Sequence, residues 1–168
     1  MTKGFSLLEI IIYITILTMM LAVVTNSSIL LSSSFVRARI SKEVSNQGRS
    51  AMERMMREVR LASEIVEDGS VLGTSPGTLK LNTVISSSDD TPQTLEFFVR
   101  GPDLIIKEGG GQERTLTSGI KITNLVFYKI TASSTSQGAK IEFTAEKTNG
   151  KYTYSGDFSG TAVLRGSY

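Results

Sequence analysis

The chain begins with a nearly uninterrupted apolar run. Residues 10–24 read IIIYITILTMMLAVV without a charge, and the apolar character reaches back to Phe5 with Glu9 as its one charged side chain. A helix of the twenty residues from Phe5 to Val24 would be about 30 Å long, the thickness of the hydrocarbon core of a bilayer. The pattern therefore predicts a transmembrane helix over 5–24.

Beyond this run the pattern predicts that the helix continues, over 25–68, as an amphipathic segment. Residues 25–34 are rich in Ser and Thr, whose hydroxyls can bond to backbone carbonyls and bend a helix, so a local kink or break there stays open. Asp68-Gly69 is predicted to end the helix, because Gly readily takes the left-handed cap conformation. The apolar side chains recur at steps of three and four, with Gly48 as the one small position: Val36, Ile40, Val44, Met52, Met55, Val59, Ala62 and Val66.

Residues 69–168 change to the period of two that is typical of β-strands. Asn149-Gly150 predicts a type I′ hairpin, and a change of phase before Leu125 predicts a bulge near Asn124. Antiparallel strands with one apolar face would cover the helical stripe, so we predict an α+β fold: a long N-terminal helix packed on an antiparallel β-sheet domain. The alternating runs lie at 78–85, 94–100, 103–107, 113–117, 120–130, 139–147 and 151–165.

The amino-acid composition excludes several kinds of functional site. The 168 residues include no Cys and no His, which removes disulfides, Cys/His zinc sites and His-dependent catalysis. The net charge of +2 is too small to imply nucleic acid, and we predict no direct nucleic-acid partner. Residues 35–66 carry seven Arg or Lys and four Glu, a mixture that favours a solvated helix face over DNA or lipid binding. Four i,i+4 ion pairs are predicted on that face: Arg49–Glu53, Glu53–Arg57, Arg54–Glu58 and Arg60–Glu64.

The second half of the chain offers no catalytic motif. Gly109-Gly110-Gly111 lacks the Gly-Lys-Ser/Thr that completes a phosphate-binding loop. Asp89-Asp90 could contribute to a calcium site, but further oxygen ligands at regular spacing are missing, which favours a solvated loop. We therefore predict no enzyme, no bound metal and no cofactor.

The N-terminus differs from an ordinary secretory signal. Ala22 is followed by Val-Val-Thr-Asn, a poor site for signal peptidase, so the apolar segment is expected to stay attached. Glu9 lies in the first turns of the predicted span, where an intramembrane carboxylate costs about 2.5–3.5 kcal/mol on insertion scales. Such a carboxylate either reaches headgroup water or has a partner.

The hexapeptide Gly4-Phe5-Ser6-Leu7-Leu8-Glu9 resembles the processing motif of the type IV pilin superfamily: a short basic leader ending in Gly, then Phe, then Glu at the fifth mature position. The resemblance implies that residues 1–4 are a leader, which a dedicated prepilin peptidase removes by cutting after Gly4. It also implies methylation of the new N-terminal Phe5 and a role for Glu9 in subunit assembly.

A cut after Gly4 would expose an α-amine at Phe5 that is cationic at neutral pH. Glu9 follows four residues later, one helical turn away. The Phe5 amine of a neighbouring subunit could pair with this Glu9 in a low-dielectric setting and so favour one axial register. An intrachain pair between the same two groups is the alternative.

Location follows mainly from the same resemblance. It implies a single-pass protein of the cytoplasmic (inner) membrane with its N-terminus inside and its globular domain outside, which later enters a filament. Lys3 agrees with an N-terminus inside under the positive-inside rule.

The later part of the chain resembles J-type pseudopilins and related minor pilins. This implies a structural subunit near the tip of a type IV pilus or a type II secretion-like pseudopilus, with other pilin or pseudopilin subunits as its partners. The alternative is a membrane-anchored extracytoplasmic binding module that enters no filament, and the sequence does not distinguish pilus, secretion and DNA-uptake systems. The resemblance lies in Met55-Met56-Arg57-Glu58-Val59-Arg60-Leu61-Ala62, Leu116-Thr117-Ser118-Gly119, Asn124-Leu125-Val126-Phe127 and Val163-Leu164-Arg165.

Overall fold

The computed structural model describes residues 6–83, 93–109, 111–131 and 137–165. They form two compact units, of which the first ends at Arg39 and the second begins at Ile40. In chain order the elements are α1 (Leu7–Leu61), β1 (Ala62–Ile65), β2 (Leu79–Thr83), β3 (Gln93–Arg100), β4 (Asp103–Glu108), β5 (Gln112–Thr115), β6 (Lys121–Thr131), β7 (Gln137–Asn149) and β8 (Tyr152–Val163).

The first unit is the apolar part of α1. Its large apolar side chains, from Leu7 to Leu31, are exposed, and none of the residues in its most apolar stretch is buried. Within the described residues, α1 is the one helix long and apolar enough to cross a membrane. A helix that is apolar all round needs lipid or other helices to cover it.

The Ser/Thr-rich stretch 25–34 is helical, so the helix does not break there. The hydroxyls of Thr25, Ser28 and Ser34 each donate to the carbonyl oxygen four residues earlier, at 2.8, 3.0 and 3.0 Å. These side chains therefore satisfy their hydrogen-bonding groups within the helix.

In the second unit the end of α1 packs on two antiparallel sheets. The first has the strand order β1-β2-β3-β4-β5 and the second the order β6-β7-β8. The predicted α+β fold, a long helix on antiparallel strands, is confirmed.

The buried face of α1 agrees with the predicted stripe from Ile40 to Val59. Strand β8 lies close to this face: a Cβ built on Gly160 would be 2.6 Å from the Sδ of Met56 and 2.9 Å from that of Met52. The buried helix residues are Ile40, Val44, Gly48, Ala51, Met52, Met55, Glu58 and Val59. The sheets contribute large buried side chains that include Leu79, Phe97, Ile106, Phe127, Ile141 and Phe143.

The predicted end of the helix is wrong. The helix was expected to run through residues 25–68, yet α1 ends at Leu61 and the chain continues directly as β1. Ala62 and Ile65 are buried while β1 pairs with β2, and the amide of Val66 donates to the carbonyl of Lys80 at 2.9 Å. The backbone groups of these residues, which were predicted to be helical, are thus hydrogen-bonded to a strand that is distant in sequence.

The sheet details partly confirm the sequence pattern. A register shift between Ile122 and Asn124 confirms the predicted bulge. The hairpin between β7 and β8 also forms, but Asn149 pairs with Tyr152, so Gly150 and Lys151 are its central residues. Only Gly150 of this pair has positive φ, at 58°, which is the pattern of a type II′ turn rather than the predicted type I′.

Gly48 is predicted to be intolerant of a side chain. A Cβ at this position would overlap the ring of Phe158, which stacks on Phe143 with ring centroids 5.0 Å apart. We expect Gly48→Ala to destabilise the folded protein by about 1–3 kcal/mol, the usual effect of overpacking. This should outweigh the gain of about 1 kcal/mol in helix propensity. Chemical denaturation of the chain in detergent micelles, followed by circular dichroism, measures the difference.

Two further variants make this test specific. Ser50 is exposed on the same helix, so Ser50→Ala should change the free energy of unfolding little. In a Phe158→Leu background the Gly48→Ala change should lose most of its effect, because the overlapping ring is gone. Equal midpoints for Gly48→Ala and the original chain would contradict the close approach of α1 and β8.

Candidate assembly site at Glu9

Glu9 lies in the first turn of α1. The helix begins at Leu7, and the carbonyl of Ser6 accepts hydrogen bonds from the amides of Glu9 and Ile10, at 3.0 and 3.2 Å. A carboxylate at this end is favourable because the first turn carries unsatisfied amide groups and the positive end of the helix dipole. The helix itself therefore gives the Glu9 charge some stabilisation.

Tyr13 is the side-chain partner of Glu9 in the structure. Its hydroxyl donates to Oε1 of Glu9 at 3.0 Å, across one helical turn. This contact was not among the predictions from sequence, although the spacing of four residues and the polar tip of Tyr in an aliphatic run were the signals for it. The Tyr13 hydroxyl supplies a hydrogen bond to Glu9 but no positive charge.

The other two predicted processing residues, Gly4 and Phe5, lie outside the described residues. Neither the intrachain nor the intersubunit pairing of the Phe5 amine with Glu9 is tested, and both stay predictions. Asp89 and Asp90, which were considered as calcium ligands, also lie outside the described part of the chain. Among the residues that the structure describes, no group of three acidic side chains could hold a metal ion.

Charged side chains of the second unit form ion pairs that join its elements. Of the four predicted helical pairs, Arg54–Glu58 is present, at 2.9 Å, and Arg54 also lies 3.5 Å from Glu108 on β4. Glu43 of α1 pairs with Lys147 of β7. These contacts tie the helix to the sheets.

Two ion pairs shift the pKa values of Glu67, Glu113 and Arg100. The Nζ of Lys129 lies 2.6 Å from Oε1 of Glu67. The hydrogen bond from Lys129, together with its positive charge, lowers the pKa of Glu67. Arg100 donates to both carboxylate oxygens of Glu113, which lowers the pKa of Glu113 and raises that of Arg100. Both pairs connect neighbouring segments and show no feature of a catalytic site.

The fold and the site define a class rather than a particular protein: an α+β protein whose single long N-terminal helix is compatible with a membrane anchor. Comparison of the chain with known protein families, characterised proteins and solved structures found no match. A more specific function must therefore rest on the residues themselves.

Proposed function

We propose that this chain is a structural subunit of a type IV pilin-like filament, processed by a prepilin peptidase and assembled through its N-terminal helix. The observation that carries the proposal is the uncovered apolar part of α1, with one carboxylate, Glu9, next to the prepilin-like motif Gly4-Phe5. The role is structural rather than enzymatic, and the partners are other subunits of the same kind.

The energetics of Glu9 support assembly. In lipid, an unpaired carboxylate would oppose insertion, and the neutral Tyr13 hydroxyl relieves only part of that penalty. The methylated amine of Phe5 from a neighbouring subunit would supply the missing positive charge. Pairing both charges is favourable because each is costly alone in a low-dielectric environment. The same pair would select one axial position of each helix against the next.

The exposed apolar surface supports the same proposal. Before assembly, lipid would cover the helix in the cytoplasmic membrane, with the sheets outside. After assembly, the apolar helices of neighbouring subunits would replace the lipid. In both states the apolar surface of the helix, which the rest of the chain does not bury, would be covered.

Within this class we propose a minor subunit near the tip. The sheet domain is large for a repeating shaft subunit and is best accommodated at a fibre end, where no neighbour crowds it from above. Glu9 is retained, which suggests a position below the uppermost subunit, because the carboxylate of that subunit would find no amine above it.

N-terminal mass spectrometry of the native membrane protein tests the proposed processing. We expect the mature chain to begin at Phe5 with a methylated amine. Gly4→Val should leave residues 1–4 attached, because the residue before the cut would then carry a branched side chain, whereas the neighbouring Thr2→Ala should be processed normally. A wild-type chain that keeps residues 1–4, or begins beyond residue 20, would refute the prepilin assignment.

A further inference from the structure

The four outer strands of the two sheets differ in how their edges are protected. A free strand edge presents unpaired amides and carbonyls, which natural proteins guard by short or charged strands, bulges or covering loops. Strand β5 has four residues with Glu113 and Arg114 among them, and β1 has four residues and a register shift. The edge of β6 is covered, because the amides of Gly73 and Gly77 donate to its carbonyls at 2.8 Å.

Among the residues that the structure describes, strand β8 is neither short nor bulged, and no loop pairs with its outer edge. It runs for 12 residues, pairs with β7 without a register shift, and contains no Pro and no basic residue. Asp157 is its one charged side chain. Such a long, regular edge is a template for another strand.

The register shows which backbone groups of β8 face outward. Val163, the last residue of β8, lies opposite Gly138, and the amide of the next residue, Leu164, donates to the carbonyl of Gln137. The even-numbered residues of β8 therefore point their backbone groups towards β7. In an antiparallel pair the alternate residues point theirs away. Within the described residues these outward groups have no hydrogen-bond partner until Arg165, whose amide donates to Ala62. The outward-facing residues are Thr153, Ser155, Asp157, Ser159, Thr161 and Val163.

The neighbouring flank of α1 has an excess of basic side chains. Lys42, Arg49, Met56 and Arg60 follow at steps of seven, seven and four, so they share one flank of the helix. Glu53, four residues after Arg49, lies on the same flank, and the three basic side chains outnumber it. The closeness of Met56 to Gly160 places this flank beside β8. The opposite flank carries Glu43, Arg54 and Glu58, which pair with β7, with β4 and within α1.

These basic side chains are available for a partner. Lys42, Arg49 and Arg60 are exposed, and none forms an ion pair with another residue in the described ranges. On the other face of the same edge, Asp157 would repel an acidic group. The two faces of an added strand would thus meet different charges.

We propose that the outer edge of β8 binds an extended segment of a partner protein, which adds as a fourth strand to the sheet and carries acidic side chains at alternate positions. The backbone of β8 would provide affinity through main-chain hydrogen bonds. The acidic side chains would face Arg49 and Arg60, and neutral or basic ones would lie beside Asp157. This interaction does not depend on incorporation into a filament.

Binding of a labelled peptide to the full chain in detergent micelles tests the proposal. The probe alternates Val and Glu over about ten residues, close to the length of β8. We expect it to bind, while a peptide that alternates Val and Gln should bind about tenfold more weakly because it brings no negative charge to Arg49 and Arg60. A Val-Glu peptide with N-methyl groups on alternate amides, which keeps the charge but removes strand pairing, should also lose binding.

Matched protein variants locate the site. Ser159→Pro removes an outward amide without breaking a hydrogen bond to β7, and should weaken binding by about tenfold, whereas Ser159→Ala keeps the amide and should bind normally. Arg49→Gln with Arg60→Gln should weaken binding and reduce its salt dependence. Circular dichroism verifies that the variants keep their strand content.

The outcomes separate strand addition from other uses of this edge. Equal binding of the N-methylated peptide would overturn the proposal, because charge alone would then explain the affinity. Absence of peptide binding, together with dimers of the chain that Ser159→Pro abolishes, would instead identify a second copy as the occupant and would also overturn it.

Discussion

A chain shortened to begin at residue 69 is expected to lose its fold, whereas one beginning at residue 35 should be soluble and unfold cooperatively. The shorter chain lacks the helical face that covers both sheets and also lacks β1, which pairs with β2. Each large apolar side chain removed from the core costs about 1.5–3 kcal/mol of burial, so the loss of Val44, Met52, Met55 and Val59 is comparable to the usual stability of a domain, about 5–15 kcal/mol. The loss of β1 adds to this cost. Size-exclusion chromatography and denaturant unfolding measure the result.

A third chain, beginning at residue 62, separates the two contributions. It keeps β1 but removes α1, so it should aggregate if the helical face is the main cover. A chain beginning at Ile40, the first residue of the second unit, should behave like the one from residue 35. Equal stability of the chains from residues 35 and 69 would refute the packing of the helix on the sheets.

Replacement of Glu9 by Ala is expected to leave membrane insertion and leader cleavage intact while reducing incorporation into filaments by at least about tenfold. In the proposed assembly the variant leaves the amine of a neighbouring Phe5 without its partner, and an uncompensated charge in a low-dielectric interface costs about 3–5 kcal/mol. Quantitative immunoblotting of sheared filaments against total membrane protein measures incorporation.

Tyr13→Phe is the matched control for Glu9. It removes the hydrogen bond to Oε1 but keeps the carboxylate, the ring and its packing. If Glu9 acts through a neighbouring subunit, Tyr13→Phe should assemble far better than Glu9→Ala. Wild-type incorporation of Glu9→Ala would show that this carboxylate serves only the helix terminus and the membrane interface.

Much of the fold follows from local sequence pattern. The helical stripe repeats about every 3.6 residues and the strands alternate every two residues, so both can be read from residues that are close in sequence. The apolar run is likewise a continuous stretch of the sequence. Turn residues such as Gly101-Pro102 and Asn149-Gly150 separate strands that the structure pairs as hairpins. The bulge near Asn124 could also be predicted, because a change of phase in the sequence must be absorbed by an extra residue.

The tertiary structure decided what depends on distant partners. Residues Ala62–Ile65 continue the helical spacing, but pairing with β2 makes them a strand, and no local pattern shows that partner. The separation of the eight described strands into two sheets likewise depends on long-range pairing.

Of the two candidate sites, one could be predicted from the sequence and the other depends on the tertiary structure. Glu9 stands out in sequence because a charge in an apolar run is conspicuous, and its contact with Tyr13 follows from helical spacing. The open edge of β8 is invisible in sequence, because whether a strand is central or outer depends on which other strands reach it. Local periodicity therefore determined the elements of this protein and its candidate assembly residue, while long-range pairing determined the helix end, the two sheets and the exposed edge.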